Sequence, residues 1–296
     1  MRILAIGEIL WDVFPERELI GGATFNFSAH AARLGHEVRL VSGVGNDERG
    51  RLALERAKEC HVDTEYIHST DELPTGHVSV FLDEHGQPDY TIHRPAAYDL
   101  LGLSDRKIQE LIEWKPDWVY YGTVHQMDAD VRRQTKAVID AFPDIPQLFY
   151  DINLRKDSYT RELLDELLNE CGMLKISEEE VSEVGRLLGL EHTSLKSFLD
   201  QMKDRYDIDS FCVTRGALGC YLDLCGMTVD AAGYKVEVAD AVGAGDAFSA
   251  ALIHALDSGW VLNRAADFAN RVGALIASKN GAVPEWSLDE LEALKE

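Results

Sequence analysis

Basic residues are scarce in this sequence, which has 29 lysines and arginines against 52 aspartates and glutamates. The formal net charge of -23 at pH 7 argues against nucleic acid and against acidic membrane surfaces as partners. A nucleotide bound in one local site is not affected by this argument, because the whole-chain charge does not describe a single cleft. The charge therefore leaves small-molecule chemistry open.

Long apolar runs are also lacking, and no segment approaches the roughly 20 residues that span a bilayer. The opening MRILAIGEILWDV reads as a strand that soon meets acidic residues, so we expect neither a signal nor a transit peptide. The five cysteines are odd in number and scattered, and Cys220 and Cys225 have no second pair with which to form a zinc site. We therefore expect free thiols and a cytoplasmic location.

Two common nucleotide-binding motifs are missing. The sequence contains no G-x-x-x-x-G-K-[ST], which excludes a Walker-type NTPase. GVGNDERG, residues 43–50, follows a strand candidate, but its G-x-G-x-x-x-x-G spacing does not match the dinucleotide-binding fingerprint. A dehydrogenase is therefore disfavoured.

Short apolar runs alternate with amphipathic segments along the chain. The strand candidates are residues 3–6, 38–44, 118–121, 148–150, 173–176 and 211–213, and the helix candidates are residues 26–34, 48–59, 129–141, 178–188 and 195–204. This alternation predicts a mostly parallel sheet with right-handed crossovers and a ligand at the carboxyl ends of its strands.

One interval interrupts the alternation. In residues 74–95, two β-rich runs flank DEHGQP, which is typical of a hairpin turn. Another extended piece, residues 11–20, follows the first strand. These pieces are predicted to pair into a small sheet, which is either a surface hairpin or a lid.

The stretch DAVGAGDAFSAALIHAL, residues 240–256, places glycines and carboxylates before an apolar helical pattern. A helix is predicted to begin near Asp246, so its free N–H groups and positive dipole end would face the glycine turn. Asp246 is then either a simple N-cap or first-turn residue, or a base beside a bound phosphate. Phosphoryl transfer to an alcohol needs both the N–H donors and such a base.

DAVGAGDAF resembles the D-T-x-G-A-G-D signature of the ribokinase, or PfkB, family of carbohydrate kinases. Residues 21–35 with 38–50 resemble its amino-terminal glycine-rich signature, and VTRGALGCYL, residues 213–222, resembles its V-T-x-G-x-x-G segment. The three segments occur in family order over nearly the whole chain. The resemblance implies one three-layer α/β/α ribokinase-like domain over residues 1–296, with a mostly parallel sheet and a small β-sheet lid from about 11–20 and 74–95.

The resemblance also assigns roles to individual residues. Asp246 would be the catalytic base, and the backbone of Gly243, Ala244 and Gly245 the anion hole. The sugar would contact Asp12, Gly21, Gly22, Asn26, Arg94 and Arg155, and the nucleotide Thr214, Gly216, Gly219, Asn270 and Gly281. Turns, caps and surface ion pairs are the structural alternatives for these residues.

The implied cofactors are ATP, Mg²⁺ and a monovalent cation such as K⁺. Glu180 would hold Mg²⁺ through water, and Asp240 the monovalent cation. Ser177 stands where the family has Asn, and Ser177 with Glu180 would equally form a helix capping box.

DINLR, residues 151–155, resembles a run found in fructokinase-like and 2-keto-3-deoxygluconate-kinase-like members. The keto-acid kinases carry an aromatic residue two positions before the lid-side arginine, where this chain has Ile92, which favours fructose. The alternatives are 2-keto-3-deoxygluconate kinase, another sugar or nucleoside kinase of the family, and a catalytically silent sugar-binding relative. A homodimer formed through the lid is a further expectation.

Overall fold

The computed structural model describes residues 1–82, 88–144, 146–191 and 193–294. The strands within these ranges are β1 (Arg2–Ile6), β2 (Leu10–Val13), β3 (Glu18–Gly21), β4 (Glu37–Gly45), β5 (Ile67–Thr70), β6 (Gly76–Leu82), β7 (Pro88–Ile92), β8 (Trp118–Gly122), β9 (Gln147–Asp151), β10 (Met173–Ser177), β11 (Ser210–Thr214), β12 (Cys220–Leu224) and β13 (Met227–Ala231). The α-helices are α1 (Ala23–Arg33), α2 (Glu48–Glu59), α3 (Asp105–Trp114), α4 (Ala129–Asp140), α5 (Arg161–Asn169), α6 (Glu178–Leu188), α7 (Leu195–Tyr206), α8 (Ala244–Asp257), α9 (Leu262–Ala277) and α10 (Leu288–Ala293).

Nine strands form the main sheet in the order β13-β12-β11-β10-β9-β8-β1-β4-β5. Pairings from β11 to β5 are parallel, whereas β12 and β13 pair antiparallel at one edge. The predicted three-layer, mostly parallel sheet is confirmed, and all six predicted strands lie in it. Parallel strands need crossover helices, which place the layers on both faces and bring the carboxyl ends of the strands to a common edge.

The two faces of the sheet have separate apolar cores, as β1 illustrates. Ile3 and Ala5 pack toward α1, α2, α8, α9 and α10, whereas Leu4 and Ile6 pack toward helices α3 to α7. All four side chains are fully buried. Each large aliphatic side chain contributes about 1.5–3 kcal/mol by such burial. Because β1 is buried on both faces, its sequence is a continuous apolar run and not an alternating one.

The edge hairpin of β12 and β13 was not predicted from the sequence. Leu224 pairs with Met227, so the connecting loop is the two residues Cys225 and Gly226. Both have positive φ, 51° and 83°, as the favoured two-residue hairpin turn requires. Strands β12 and β13 were not predicted, because Cys-Gly is a weaker turn signal than Asn-Gly.

The small sheet has the strand order β3-β2-β6-β7, so the two extended pieces pair as predicted. Leu10, Val78 and Val80 bury one side of it against Ala96 and Tyr98. The turn predicted at DEHGQP falls largely on residues 83–87, which lie outside the described residues. Whether this sheet acts as a lid stays a prediction.

Two further expectations concern thiols and membranes. All five cysteines are free, as predicted. Among the described helices, none combines the length and the apolar character needed to cross a bilayer.

Candidate active site

The glycine turn before α8 is held in a conformation that only glycine adopts easily. Gly243 has φ 82°, and a Cβ at this position would lie 2.3 Å from the carbonyl oxygen of Ala282. Helix α8 begins at Ala244, two residues before the predicted start. The turn is therefore fixed both by backbone conformation and by close approach of the loop containing Ala282.

The start of α8 presents backbone donors, as an anion site requires. The Ala244 N–H donates to the carbonyl of Ala241 at 3.3 Å, and the Asp246 carboxylate lies in the same first turn. The N–H groups of Gly243, Gly245 and Asp246 make no hydrogen bond to any described residue. Three donors are thus open to an anion at this helix end.

Asp246 is oriented by a residue from the opposite end of the sequence. Nδ2 of Asn26, in α1, donates to Oδ2 of Asp246 over 2.9 Å. Burial, reinforced by the negative charge of Asp151, raises the pKa of Asp246 to about 6. The carboxylate is therefore ionised at neutral pH and still basic enough to accept a proton.

Glu8 organises the start of α1 and was not identified from the sequence. Its Oε1 accepts a hydrogen bond from the Ala23 N–H at 3.0 Å, which accounts for α1 beginning at Ala23 instead of the predicted residue 26. A Cβ on Gly22, whose φ is 99°, would lie 2.6 Å from the Glu8 carbonyl oxygen. Burial raises the pKa of Glu8 to about 7. Glu8 thereby fixes the helix that carries Asn26.

The small sheet contributes a second acid to the same cleft. Asp12, on β2, lies so close to Gly21 of β3 that a Cβ there would be 2.7 Å from Oδ2. Burial raises the pKa of Asp12 to about 6, against the opposing positive charge of Arg155. Tyr90 of β7 is 39% exposed, and its pKa is raised by burial and by Asp12. Tyr90 was missed by the sequence analysis, although it lies two positions before Ile92 on the same face of its strand.

The two predicted sugar-binding arginines differ in their surroundings. Arg155 is exposed, its Nη1 donates to the carbonyl of Leu154 at 3.2 Å, and no carboxylate of the described chain pairs with it. Arg94 forms an ion pair with Asp99, and its Nη1 donates to the carbonyl of Val124 at 2.5 Å. Arg155 is thus available to a ligand, whereas Arg94 is occupied by structural contacts.

A cavity of about 790 Å³ borders the glycine turn and the first turn of α8. This size is typical of small-molecule sites. Four of the five residues predicted to contact the nucleotide line it, together with Gly245: Thr214, Gly216, Gly219 and Asn270. Asn270 is also tied to the backbone, since its Nδ2 donates to the carbonyl of Ala232 at 3.1 Å.

The fifth residue, Gly281, is not among the residues lining this cavity. Its N–H donates to Oδ2 of Asp240 at 3.2 Å, while Oδ1 of Asp240 accepts from the Val242 N–H at 3.0 Å. Asp240 therefore connects the glycine turn to the loop that contains Gly281. Its carboxylate keeps lone pairs on both oxygens that a monovalent cation could use.

Glu180 forms the capping box that the sequence offered as an alternative to a metal role. Its Oε2 accepts from the N–H and hydroxyl of Ser177 at 2.8 and 2.9 Å, and its Oε1 accepts from the Leu154 N–H at 2.6 Å. Within the described ranges, no cluster of three or more His, Cys, Asp or Glu has the arrangement of a metal site. With three donors on its carboxylate, Glu180 fits a contact to Mg²⁺ through water better than direct ligation.

Two more buried charges near the glycine turn were not singled out from the sequence. Lys175 of β10 and Asp151 of β9 form a buried ion pair below the start of α8. The signal was present, because Lys175 is the single charge in the apolar strand MLKIS and Asp151 ends the strand QLFYD. Their importance depends on a contact that sequence spacing does not reveal.

Comparison with known proteins gives consistent matches. The family model described as "pfkB family carbohydrate kinase" matches residues 15–288. The uncharacterized sugar kinase PH1459 of Pyrococcus horikoshii is 30% identical over 99% of this chain and 96% of its own length. Its structure in complex with ATP superposes with a TM-score of 0.83 at 28% identity, covering 99% of this chain and 98% of the other.

Two fructokinases are also similar. Fructokinase of Escherichia coli is 27% identical over 95% of both chains. The structure of fructokinase from Vibrio cholerae O395, with fructose, ADP and calcium ion bound, has a TM-score of 0.82 at 25% identity and covers 100% of this chain and 99% of the other.

Proposed function

The chain belongs to the pfkB family of carbohydrate kinases and is an ATP-dependent carbohydrate kinase, and on that premise we propose that it phosphorylates a neutral ketohexose, fructose. The observation that carries the proposal is the contact between Asn26 and Asp246, which places a carboxylate beside the open N–H donors of α8. Similarity to fructokinases of E. coli and V. cholerae supports the choice of sugar.

Asp246 acts as the general base. The acceptor hydroxyl lies between this carboxylate and the γ-phosphoryl group of ATP, whose oxygens accept from the N–H groups at the start of α8. The hydroxyl oxygen forms a bond to the γ-phosphorus while the bond from that phosphorus to the bridging oxygen breaks. The proton passes to Asp246, and ADP leaves with the electron pair of the broken bond. Positioned base catalysis of this kind contributes about 10²- to 10⁴-fold in rate.

Sugar recognition combines one acid, one amide, two glycines and one cation. Asp12 accepts hydrogen bonds from hydroxyls, and Oδ1 of Asn26, a buried oxygen with no partner among the described residues, is a further acceptor. Gly21 and Gly22 let the backbone approach the sugar. Arg155 binds the sugar or the transferring phosphate, because it has no competing carboxylate.

ATP lies in the 790 Å³ cavity next to Gly245. Glu180 would hold Mg²⁺ through water, and the ion would supply positive charge to offset the charge of the phosphates. Asp240 would hold a monovalent cation beside the glycine turn. The small sheet closes over the sugar and excludes water, the competing acceptor. A homodimer formed through this sheet and a cytoplasmic location complete the proposal.

A second acceptor, 2-keto-3-deoxygluconate, is favoured by Tyr90. Tyr90 lies on β7, where the charges of Asp12 and Arg155 both affect its pKa. It therefore offers the sugar an aromatic contact, although Ile92 occupies the position at which the keto-acid kinases carry an aromatic residue. Arg155 could then bind the carboxylate of the sugar acid.

An assay of ADP release over a panel of acceptors tests the proposal. The panel contains fructose, ribose, 2-keto-3-deoxygluconate and adenosine, each with ATP and Mg²⁺. We expect the highest kcat/KM with fructose. A higher value for the keto-acid would reassign the substrate, and fructose binding without turnover of any acceptor would indicate a catalytically silent relative.

A further inference from the structure

A buried ion pair lies directly beneath the start of α8, and the mechanism above does not use it. Nζ of Lys175 donates to both carboxylate oxygens of Asp151, at 2.8 and 2.9 Å. Lys175 is 7% exposed and Asp151 is 1% exposed. Oδ2 of Asp151 also accepts from the hydroxyls of Tyr120 and Ser249, at 3.0 and 3.3 Å. The carboxylate is therefore fully held, and it fixes the ammonium in one place.

The ammonium group of Lys175 lies next to the first turn of α8, whose N–H groups form the proposed anion site. A Cβ on Gly245 would lie 3.5 Å from Nζ of Lys175, so the ammonium is in van der Waals range of the first turn of α8. Ser249, one turn further along α8, bonds both to Asp151 and to the carbonyl of Gly245 at 3.0 Å. Asp151 uses two of the three N–H donors of Lys175. The charge thus sits between the sheet and the helix end that would receive the phosphate.

A buried ion pair is a poor source of stability, because the cost of removing both charges from water rivals their attraction. This core could have been filled by apolar residues, as it is at Leu174 and Ile176 on the opposite face of the same strand. During phosphoryl transfer, in contrast, the phosphate and Asp246 both bring negative charge to this helix end. A fixed cation there needs no reorganisation during the reaction.

We propose that Lys175, held by Asp151, is a positioning residue that supports the negative charge gathered at the start of α8 during phosphoryl transfer. The inference rests on the proposed function, in which Asp246 is the base and the N–H groups of α8 hold the phosphate. Lys175 touches neither the sugar nor ATP and exchanges no proton; its contribution is a fixed charge below the backbone of Gly245.

The charges that surround Asp246 make the proposal sensitive to pH. The charged and titratable groups around this carboxylate are Glu8 after β1, Tyr120 on β8, Asp151 on β9, Lys175 on β10 and Arg155, and Asn26 on α1 adds a neutral hydrogen bond. Lys175 lowers the pKa of Asp246 and Asp151 raises it. Removing one charge or the other should therefore move the acid limb of the pH profile in opposite directions.

The test compares Lys175→Met, Asp151→Asn, Lys175→Arg and the double variant Lys175→Met with Asp151→Asn. Lys203→Met is the matched control, because Lys203 pairs with Asp223 at 2.7 Å outside the cleft. With fructose as acceptor, we expect Lys175→Met to lower kcat about 10²-fold, to change KM by less than about threefold, and to move the acid limb of kcat/KM to higher pH. Asp151→Asn should move it to lower pH, Lys175→Arg should recover part of kcat, and the control should match wild type.

The double variant covers the case in which a single substitution leaves a buried charge that prevents folding. It removes both charges together, and we expect it to fold with kcat still reduced about 10²-fold. Wild-type kcat with an unmoved acid limb in folded Lys175→Met, or wild-type kcat in the double variant, where the two opposite shifts of the acid limb cancel, would overturn the inference alone. If wild type phosphorylates no acceptor, the proposed function fails and the inference fails with it, so the two failures are distinguishable.

Discussion

Asn26 donates a hydrogen bond to Asp246 across 220 positions of sequence. The bond joins α1, which follows strand β3 of the small sheet, to α8, which follows the glycine turn. It therefore connects the two signature segments of the chain in one site: the segment that brings Gly21, Gly22 and Asn26, and the segment that brings Gly243 and Asp246. Any substrate placed between them meets a carboxylate, an amide and the open N–H groups of a helix end.

Replacement of Asp246, the proposed base, should lower the rate of the chemical step without a large effect on substrate binding. In Asp246→Asn the amide retains the shape of the side chain but does not accept the hydroxyl proton. We expect kcat with fructose to fall at least about 10²-fold, with KM changed by a few-fold at most. The measurement is steady-state ADP release.

The matched control is Asp257→Asn at the last residue of α8, where Oδ1 accepts from Nε1 of Trp118 at 3.3 Å. We expect this variant to keep wild-type turnover. Turnover of Asp246→Asn within a few-fold of wild type would show that Asp246 is not the base.

The two arginines should respond differently to loss of charge. Arg155→Gln removes an exposed cation that has no carboxylate partner in the described chain. We expect kcat/KM to fall about 10- to 100-fold, which is the effect of losing one or two charge-assisted hydrogen bonds. The Tm should not change. Arg94→Gln leaves Asp99 buried without its ion-pair partner, and we expect Tm to fall by several degrees.

Activity assays and thermal unfolding of both variants check this contrast. Combining Arg94→Gln with Asp99→Asn should recover part of the lost Tm, because no buried charge is then left alone. A normal kcat/KM in Arg155→Gln would move the arginine role to Arg94.

The sequence predicted the parts of the site that are local. The glycines and carboxylate of residues 240–246 are consecutive, so their turn and helix can be inferred from a short window, and the bounds of α2 and α6 were predicted correctly. Glu8 and Lys175 could not be assigned in this way. Each lies in or just after a strand, and its role depends on which helix end it meets after folding.

The choice between a structural and a functional role differs from one predicted site residue to the next. Glu180 both caps α6 and remains the candidate for a water-mediated metal contact, since a carboxylate has more lone pairs than the capping box uses. The sequence offered the same role for Arg94 and Arg155, and the contacts of Arg94 with Asp99 and with the Val124 carbonyl distinguish them. The capping box is local and could be predicted, whereas the contacts of Arg94 with the Val124 carbonyl and of Glu180 with the Leu154 N–H are tertiary and could not.

Burial of Glu8 should lower stability as pH rises. Its pKa in the folded state is about 7, above the ordinary 4.5, so the folded chain binds more protons than the unfolded chain between these values. The free energy of unfolding therefore decreases through this range. Glu8→Gln keeps an oxygen for the Ala23 N–H and removes the charge. We expect it to be more stable than wild type by about 1–3 kcal/mol at pH 8 and to lose that advantage near pH 4.5.

Urea unfolding at pH 4.5, 6 and 8 measures the effect. Glu72→Gln, an exposed glutamate, is the control, and its stability relative to wild type should not change with pH. A constant difference between Glu8→Gln and wild type at all three pH values would contradict the assignment.

Gly243→Ala tests the glycine turn itself, and Gly259→Ala, just after α8, is its matched control. Both glycines have positive φ, 82° and 69°, but a Cβ at 243 would lie 2.3 Å from the Ala282 carbonyl oxygen, whereas nothing lies within 4 Å at 259. Gly259→Ala should lose only about 1–2 kcal/mol of unfolding free energy and retain activity. Gly243→Ala must displace the turn, so ATP affinity by calorimetry should fall at least about tenfold with kcat. Equal behaviour of the two variants would mean that the turn does not bind phosphate.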